Sequence, residues 1–508
     1  MNRAHMIKRS GLPRLLPRPS RATLGSRRGN RDCRLYENGM NRQTGLSETG
    51  VGHMNESDSR VDAKSGFNRG QLSWALADCA REPIISLVAS FIFAPYFVTV
   101  LVGDAVRGQA LWGIAIGIPS LILALGGPTF GAVADQLGRR KPWIAPLVVL
   151  GTIGCCGLWF SEPGQSGVVE LSMVLVMVGL VCTDGSLIFT NAMLPNIAEP
   201  SQIGRLSGLS WGISFLAGVF TLGLFLGLDG LTASLDLDPE SHLIERLSGV
   251  LSGLWFGVFM LPLLLFTPDA PTTGKRMNEA IRNGLENLVS TFRDLKHYRN
   301  IAFALGSGMG LASAVIAFYS FTGLYASGLF GWDITATTYF GIANVLGAAF
   351  FAFGSGILDD RLGPRRVLLA AALLSVIVTS MMAAVTPTSF GPILFESSQV
   401  ETGFPTSPSE IIYLVLGFFQ SGMLGVILTS GRSLMSRIAP LEKMTEFFGL
   451  SALFGRSAAF VAPILISWAT IYFGSQRAGL FGVVILLYGV GFIFMLYVQE
   501  ERATTPDR

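Results

Sequence analysis

From Trp74 onward the chain carries apolar runs long enough to cross a bilayer, at roughly 74 to 101, 110 to 134, 143 to 160, 168 to 194, 206 to 228 and 248 to 267. Six more follow, at roughly 300 to 326, 335 to 358, 366 to 386, 410 to 435, 446 to 473 and 478 to 498. A spanning helix takes about 20 apolar residues, because each residue rises about 1.5 Å against a hydrocarbon core of about 30 Å. Lipid offers no partner to a backbone N–H or C=O, so runs of this length predict helices. These runs leave only 14% of the 508 residues charged and lift the mean hydropathy to +0.51. The expected fold class is all-α: a polytopic membrane protein with twelve transmembrane helices and the lipid bilayer as its solvent.

Lys and Arg placement gives an orientation. Loops on one side hold Arg139, Arg140, Lys141, Arg205, Lys275, Arg276, Arg282, Arg293, Lys296, Arg299, Arg361, Arg365, Arg366, Arg437 and Lys443. The opposite loops hold only Arg107, Arg246 and Arg477. The basic side is therefore expected to be cytoplasmic, with both termini there. Residues 1–72 form a basic tail without an apolar segment, expected to be disordered and cytoplasmic, with a transit peptide or a start at Met40 or Met54 as alternatives. Residues 73–268 and 300–498 are the two expected six-helix bundles, joined by a linker over 269–299, and 499–508 is a second cytoplasmic tail. Within the linker, Met277, Ile281, Leu285, Leu288, Phe292 and Leu295 recur at helical spacing among charged residues, predicting an amphipathic helix at the inner interface. Its plain role is to join the bundles; a regulatory role is the alternative.

The two bundles repeat each other. The loop Gly131-Ala-Val-Ala-Asp135-Gln-Leu-Gly138-Arg139-Arg140-Lys141 recurs as Gly356-Ile-Leu-Asp-Asp360-Arg-Leu-Gly363-Pro364-Arg365-Arg366, displaced by 225 positions. Ile197-Ala198 and Gly208-Leu209-Ser210 recur as Ile438-Ala439 and Gly449-Leu450-Ser451, displaced by 241. Such duplication is a recurring construction of secondary transporters. In the loop the glycines allow close helix approach and a tight turn. The Asp can meet a neighbouring helix N-terminus or an Arg, and the basic cluster holds the loop inside. Gly131, Asp135, Gly138, Arg139, Arg140, Asp360, Gly363 and Arg365 thus form a candidate conformational latch.

The pattern Gly-x3-Asp-x2-Gly-Arg-Arg-Lys between spans two and three, with its degenerate copy between spans eight and nine, resembles the hallmark loop of the major facilitator superfamily. Several segments resemble, within it, the autophagy-related vacuolar amino-acid effluxer family and its bacterial relatives. They are Trp74-Ala-Leu-Ala-Asp78, Phe93-Ala-Pro-Tyr-Phe97, Asn191-Ala-Met-Leu-Pro195, Gly204-Arg205-Leu-Ser-Gly208-Leu-Ser-Trp211-Gly212, Ser433-Leu-Met-Ser-Arg437, Glu446-Phe-Phe-Gly449-Leu and Gly474-Ser-Gln-Arg477-Ala-Gly479. The likeness covers about residues 72 to 500; Cys79 departs from it, standing where the family usually has Trp. It implies two pseudo-symmetric six-helix bundles and alternating access. It also implies export of amino acids or similar small polar metabolites, with protons as a candidate coupling ion.

Charged groups at hydrocarbon depth are expensive and therefore functional candidates. Span one carries Asp78, Arg81 and Glu82, with Asp78 on one helix face with the other two; span four carries Asp184. The resemblance places all four toward a central cavity, where Arg81 would pair with Asp184 or Asp78 and a remaining carboxylate would bind a substrate amine or a proton. A static ion pair, or a position at the headgroup edge, is the structural alternative. Asn191, Tyr319, Asn344 and Arg432 complete the substrate or proton candidates, with packing or snorkelling as their alternatives; Ser320 and Arg456 are further polar residues in spans.

Other classes are excluded. A net charge of +3, distributed by membrane side, argues against nucleic acid. The five cysteines, without CxxC spacing, predict neither disulfides nor a metal site. Gly208-Leu-Ser210-Trp-Gly212 fits the nucleophile-elbow pattern, but no strand precedes it, and His5, His53, His242 and His297 all lie outside spans. Gly306-Ser-Gly308-Met-Gly310 and Gly274-Lys275 lack the context of a phosphate loop. The expectation is a monomeric secondary transporter, not an enzyme and without a cofactor, in a bacterial inner membrane. A cation-linked sugar symporter, a non-transporting sensor or scaffold, and a eukaryotic organelle remain alternatives.

Overall fold

The computed structural model describes residues 66–234, 242–293, 298–332, 334–395, 405 and 407–501. The basic tail expected before residue 66 and the end of the chain from 502 lie outside them. Fourteen helices are described: α1 (Arg69–Pro83), α2 (Phe93–Tyr96), α3 (Ala105–Leu137), α4 (Lys141–Gly157), α5 (Val168–Ile197), α6 (Ile203–Ser234), α7 (Leu243–Phe266), α8 (Met277–Arg293), α9 (Arg299–Phe330), α10 (Ile334–Leu362), α11 (Pro364–Ala383), α12 (Pro408–Ile438), α13 (Met444–Phe473) and α14 (Val483–Leu496). Among the described residues, 11 helical stretches are long and apolar enough to cross a membrane. α13, with 30 residues, takes the place of the remaining expected span.

The first span begins at Arg69, earlier than its apolar run suggests, because polar Asn68 and Gln71 build a reciprocal cap: each backbone N–H bonds the other's side chain at 2.9 Å. α1 then runs through wide π-helical turns at Ile84–Phe91 and Phe97–Leu101. Pro83 lacks the N–H that would bond the Cys79 carbonyl, and Trp255 Nε1 of α7 supplies that bond instead at 3.0 Å. At the far end of the other half, α12 starts with the same device, Ser407 and Glu410 capping each other ahead of Pro408. The outer segment before it folds as a three-stranded antiparallel meander, β1 (Val385–Thr386), β2 (Ser389–Phe390) and β3 (Ile393–Leu394).

One apolar core, around Trp74, Phe93, Phe97, Phe256 and Leu263, lies among α1 to α7. A second, around Phe318, Phe340, Tyr413, Phe447 and Tyr488, lies mostly among α9 to α14 and takes in Leu123 of α3 and Ile188 and Ala192 of α5. Leu150, Ile153, Leu265, Phe350 and Ile471 point outward, as expected where lipid replaces water. The halves meet along α6 against α10 and α3 against α13. Small residues make this approach possible. A Cβ on Gly208 would lie 2.5 Å from the Ala352 carbonyl oxygen, one on Gly212 2.5 Å from the Phe353 ring, and one on Gly131 2.5 Å from the Thr445 carbonyl oxygen.

The linker helix α8 forms as its periodicity predicts, with one face docked on the protein and the other left open. Ala280 and Leu288 are buried, and a Cβ on Gly284 would sit 3.0 Å from the Val133 backbone of α3. Met277, Ile281, Leu285 and Val289 stay 52%, 41%, 44% and 62% exposed. Small residues dock the helix, and the bulkier apolar row faces away from the protein. The Phe292 side chain and Leu295 lie outside the described residues.

Candidate functional site

Two arrangements join the halves: a charged cluster buried among α1, α5, α6 and α12, and paired latches at the end carrying the basic loops.

Asp78 lies nine residues into α1, about 14 Å from the helix start by helical rise. It is buried, and its carboxylate accepts hydrogen bonds from Arg432 Nη2 of α12 and Ser210 Oγ of α6, the latter at 2.7 Å. Arg432 therefore does not snorkel to the surface, being itself buried. It bridges the halves, with its guanidinium 4.8 Å from the Trp211 ring and 5.4 Å from the Trp74 ring. Trp74 is fixed in turn by its Nε1 bond to the Thr190 carbonyl at 2.7 Å. Arg81, one turn beyond Asp78, reaches the Trp211 ring at 5.8 Å and the Asp184 carboxylate at 3.9 Å.

Arg81, Asp184, Asn191, Trp211 and Arg432 line one cavity of about 460 Å³, otherwise walled largely by apolar side chains including Met309, Ile316, Leu424, Phe448 and Phe454. Nε and Nη1 of both arginines and Oδ1 of Asn191 are buried there without a hydrogen-bond partner. The other candidates do not line this cavity. Glu82 turns to α6, accepting from Ser214 Oγ at 3.2 Å. Asp78 sits behind Arg432. Asn344 is buried against Gly417, whose Cβ would fall 3.0 Å from its Oδ1. Tyr319 is 37% exposed and stacks edge-on against Phe318. The side chains of Ser320 and Arg456 lie outside the described residues.

The latches show why the loop motif has its spacing. Asp135, two residues before the end of α3, accepts from the first N–H groups of α13, Thr445 N at 3.1 Å and Glu446 N at 2.9 Å. Asp360, two residues before the end of α10, does the same for α6, through Gly204 N at 2.8 Å and Arg205 N at 2.9 Å. Each carboxylate thus neutralises the positive end of a helix from the opposite half. Gly138 and Gly363 follow at the same φ of 86°, a region open to glycine, and turn the chain into the next helix. The surroundings differ. Asp135 pairs with buried Arg140 at 3.2 Å, whereas Asp360 pairs with Arg205 at 3.2 Å and Arg437 at 2.9 Å. Arg365 turns instead to its own half, bonding the Leu496 carbonyl and, through its backbone, Glu500. Arg139 is exposed.

Sequence reasoning missed Trp211 and the Asp78–Arg432 bridge. Gly204, Gly208 and Gly212 recur every four residues and mark the face of α6 that packs on α10; this is the role of the segment that mimics a nucleophile elbow.

The sequence profile of the family described as vacuole effluxer Atg22 like matches residues 96–507. The chain belongs to this family. An uncharacterized MFS-type transporter of Bacillus subtilis (strain 168), YxiO, is 21% identical over 441 residues, covering 86% of this chain and 96% of the relative. The proton:xylose symporter XylE superposes with a TM-score of 0.63 at 14% identity, covering 86% of this chain and 97% of the other. FucP in the outward conformation gives 0.62 at 14% identity, covering 84% and 97%. An outward-facing bacterial homologue of the iron transporter ferroportin gives 0.60 at 14% identity, covering 84% and 98%. At such identities these structures establish the fold, and this Atg22-like chain is an integral membrane transporter of the major facilitator superfamily.

Proposed function

We propose that this transporter moves a small zwitterionic metabolite, in the first instance amino acids, by alternating access around the 460 Å³ cavity. The observation that carries this reading is the set of unpartnered guanidinium N–H groups of Arg81 and Arg432 in a cavity that also holds the Asp184 carboxylate. A buried donor without an acceptor costs about 1–3 kcal/mol, and a substrate carboxylate would satisfy several at once. The substrate ammonium would take Asp184, and the apolar wall would take its side chain. The basic-loop end is cytoplasmic in this reading, with both termini there and a bacterial inner membrane around a monomer. The latched structure is then closed to the cytoplasm, the side on which outward-facing relatives are also closed. Uphill movement would draw on a proton gradient.

The test is counterflow of pooled labelled amino acids in liposomes, with and without an imposed pH gradient, for the wild type and Asp184→Asn. Saturable flux in the wild type that the variant reduces at least tenfold is expected. No amino-acid flux, with flux of labelled sugars instead, would overturn the cargo; unchanged flux in the variant would remove Asp184 from the site.

A further inference from the structure

Asp359 precedes the latch residue Asp360 on α10 and is fully buried. Its Oδ1 accepts from Ser430 Oγ of α12 at 2.6 Å, while its Oδ2 has no hydrogen-bond partner. Ser433, one turn along α12 and equally buried, is a second hydroxyl beside this carboxyl group. The charged groups nearby are Asp360 and exposed Arg361 on α10, Arg205 on α6 and Arg437 on α12. Both Arg205 and Arg437 hydrogen-bond Asp360, and Arg437 acts on Asp359 only at longer range. Among the described residues no lysine or arginine forms a salt bridge to Asp359.

The opposite half supplies the lid. A Cβ on Gly204 of α6 would lie 2.5 Å from the Asp359 Cβ, and Ser207 one turn on bonds the Thr429 carbonyl beside Ser430, so α6 covers the α10–α12 groove that holds this side chain. An ionised carboxylate sealed from water without a paired cation is strongly unfavourable, and such a group neutralises instead. Once α6 withdraws, water reaches it and ionisation is restored.

We propose that Asp359 is a proton-binding site worked by the two halves: it carries a proton on its carboxyl group while the basic-loop end is closed and releases it to water when that end opens. The site lies outside the central cavity, at the latch, so proton release is tied to the gate itself. This rests on the alternating-access reading given above. The sign follows from linkage. The closed state binds one more proton than the open state, so raising the pH lowers the closed-to-open ratio by up to about tenfold per pH unit over the range in which the two states differ.

The full chain, with native cysteines replaced by serine and spin labels at Ser201→Cys and Leu362→Cys, exposed at the basic-loop ends of α6 and α10, is reconstituted in lipid nanodiscs for distance measurement across that end between pH 5 and 9. The expected result is a short distance at low pH that gives way to a longer one as pH rises. In Asp359→Asn, which mimics the protonated group, the short distance persists at every pH. An Asp360→Asn variant serves as the opened reference. Labels that separate in that reference while the wild type is flat with pH overturn the proton site but leave rocking intact; labels that separate in no variant overturn rocking as well. A pH response undiminished in Asp359→Asn also overturns the site. Infrared difference spectra at neutral pH give a second reading: a protonated-carboxyl stretch present in the wild type and reduced in Asp359→Asn is expected, and identical spectra refute the proposal.

Discussion

Replacing Asp360 with alanine should open the basic-loop end. In the closed state its carboxylate accepts three bonds from α6 of the other half: Gly204 N at 2.8 Å, Arg205 N at 2.9 Å and Arg205 Nε at 3.2 Å. Hydrogen bonds to a charged group contribute about 1.5–3 kcal/mol each. The Arg205 side chain is 43% exposed, so its share is near the bottom of the surface range of about 0–1 kcal/mol. The two backbone bonds give about 3–6 kcal/mol gross, but the same N–H groups regain water when the halves part. A net loss of about 2–3 kcal/mol remains, which shifts the closed-to-open ratio by roughly 30- to 150-fold. Spin labels at Ser201 and Leu362, at the facing ends of α6 and α10, would read this as a long-distance population that dominates in Asp360→Ala. A distance distribution matching the wild type would show that the helix-end contacts contribute nothing to the gate.

Three further outcomes follow from the same geometry. Arg432→Gln should lower thermal stability strongly, by about 3–5 kcal/mol, because it strands the buried Asp78 charge. The double variant with Asp78→Asn should recover most of that in a thermal melt, and failure to recover would deny the pairing. Gly208→Val should push α6 off Ala352 of α10, with looser halves appearing as a longer distance between the same spin labels; an unchanged distance would contradict the close approach. Gly284→Leu should lift α8 from Val133 of α3 and make residues 277–293 at least several-fold more susceptible to limited proteolysis, with equal cleavage refuting the docking face.

The membrane architecture was legible because lipid leaves a chain few choices: long apolar runs have to be helices, and the basic loops mark one end. The repeat was legible because matched Gly, Asp and Arg positions survive in both halves, and the structure shows Asp135 and Asp360 in matching positions, each at the N-terminus of a helix from the other half. Pairing across the halves was not legible. Asp78 and Arg432 stand 354 positions apart, and nothing local in either helix says that the two will meet. Asp78 had nearer candidates for a partner, Arg81 at one turn among them, but helix rotation sends Arg81 to Asp184. The docking face of α8 was not legible for a related reason. Periodicity finds the bulkiest apolar row, whereas docking against another helix favours the small one, Ala280 and Gly284.

The unequal surroundings of the two latches give the gate an ionic-strength response with a direction. The Asp135–Arg140 pair is 2% and 5% exposed, out of reach of mobile ions, whereas Arg205 of the Asp360 cluster stands largely in solvent. At 1 M salt the screening length shrinks to about 3 Å, so the Arg205 contact alone is screened, a loss of at most the small share it contributes. A duplicated, nominally two-fold machine would then part first along α6 and α10 and swing about the α3–α13 seam, turning a symmetric rock into a hinge with a fixed edge.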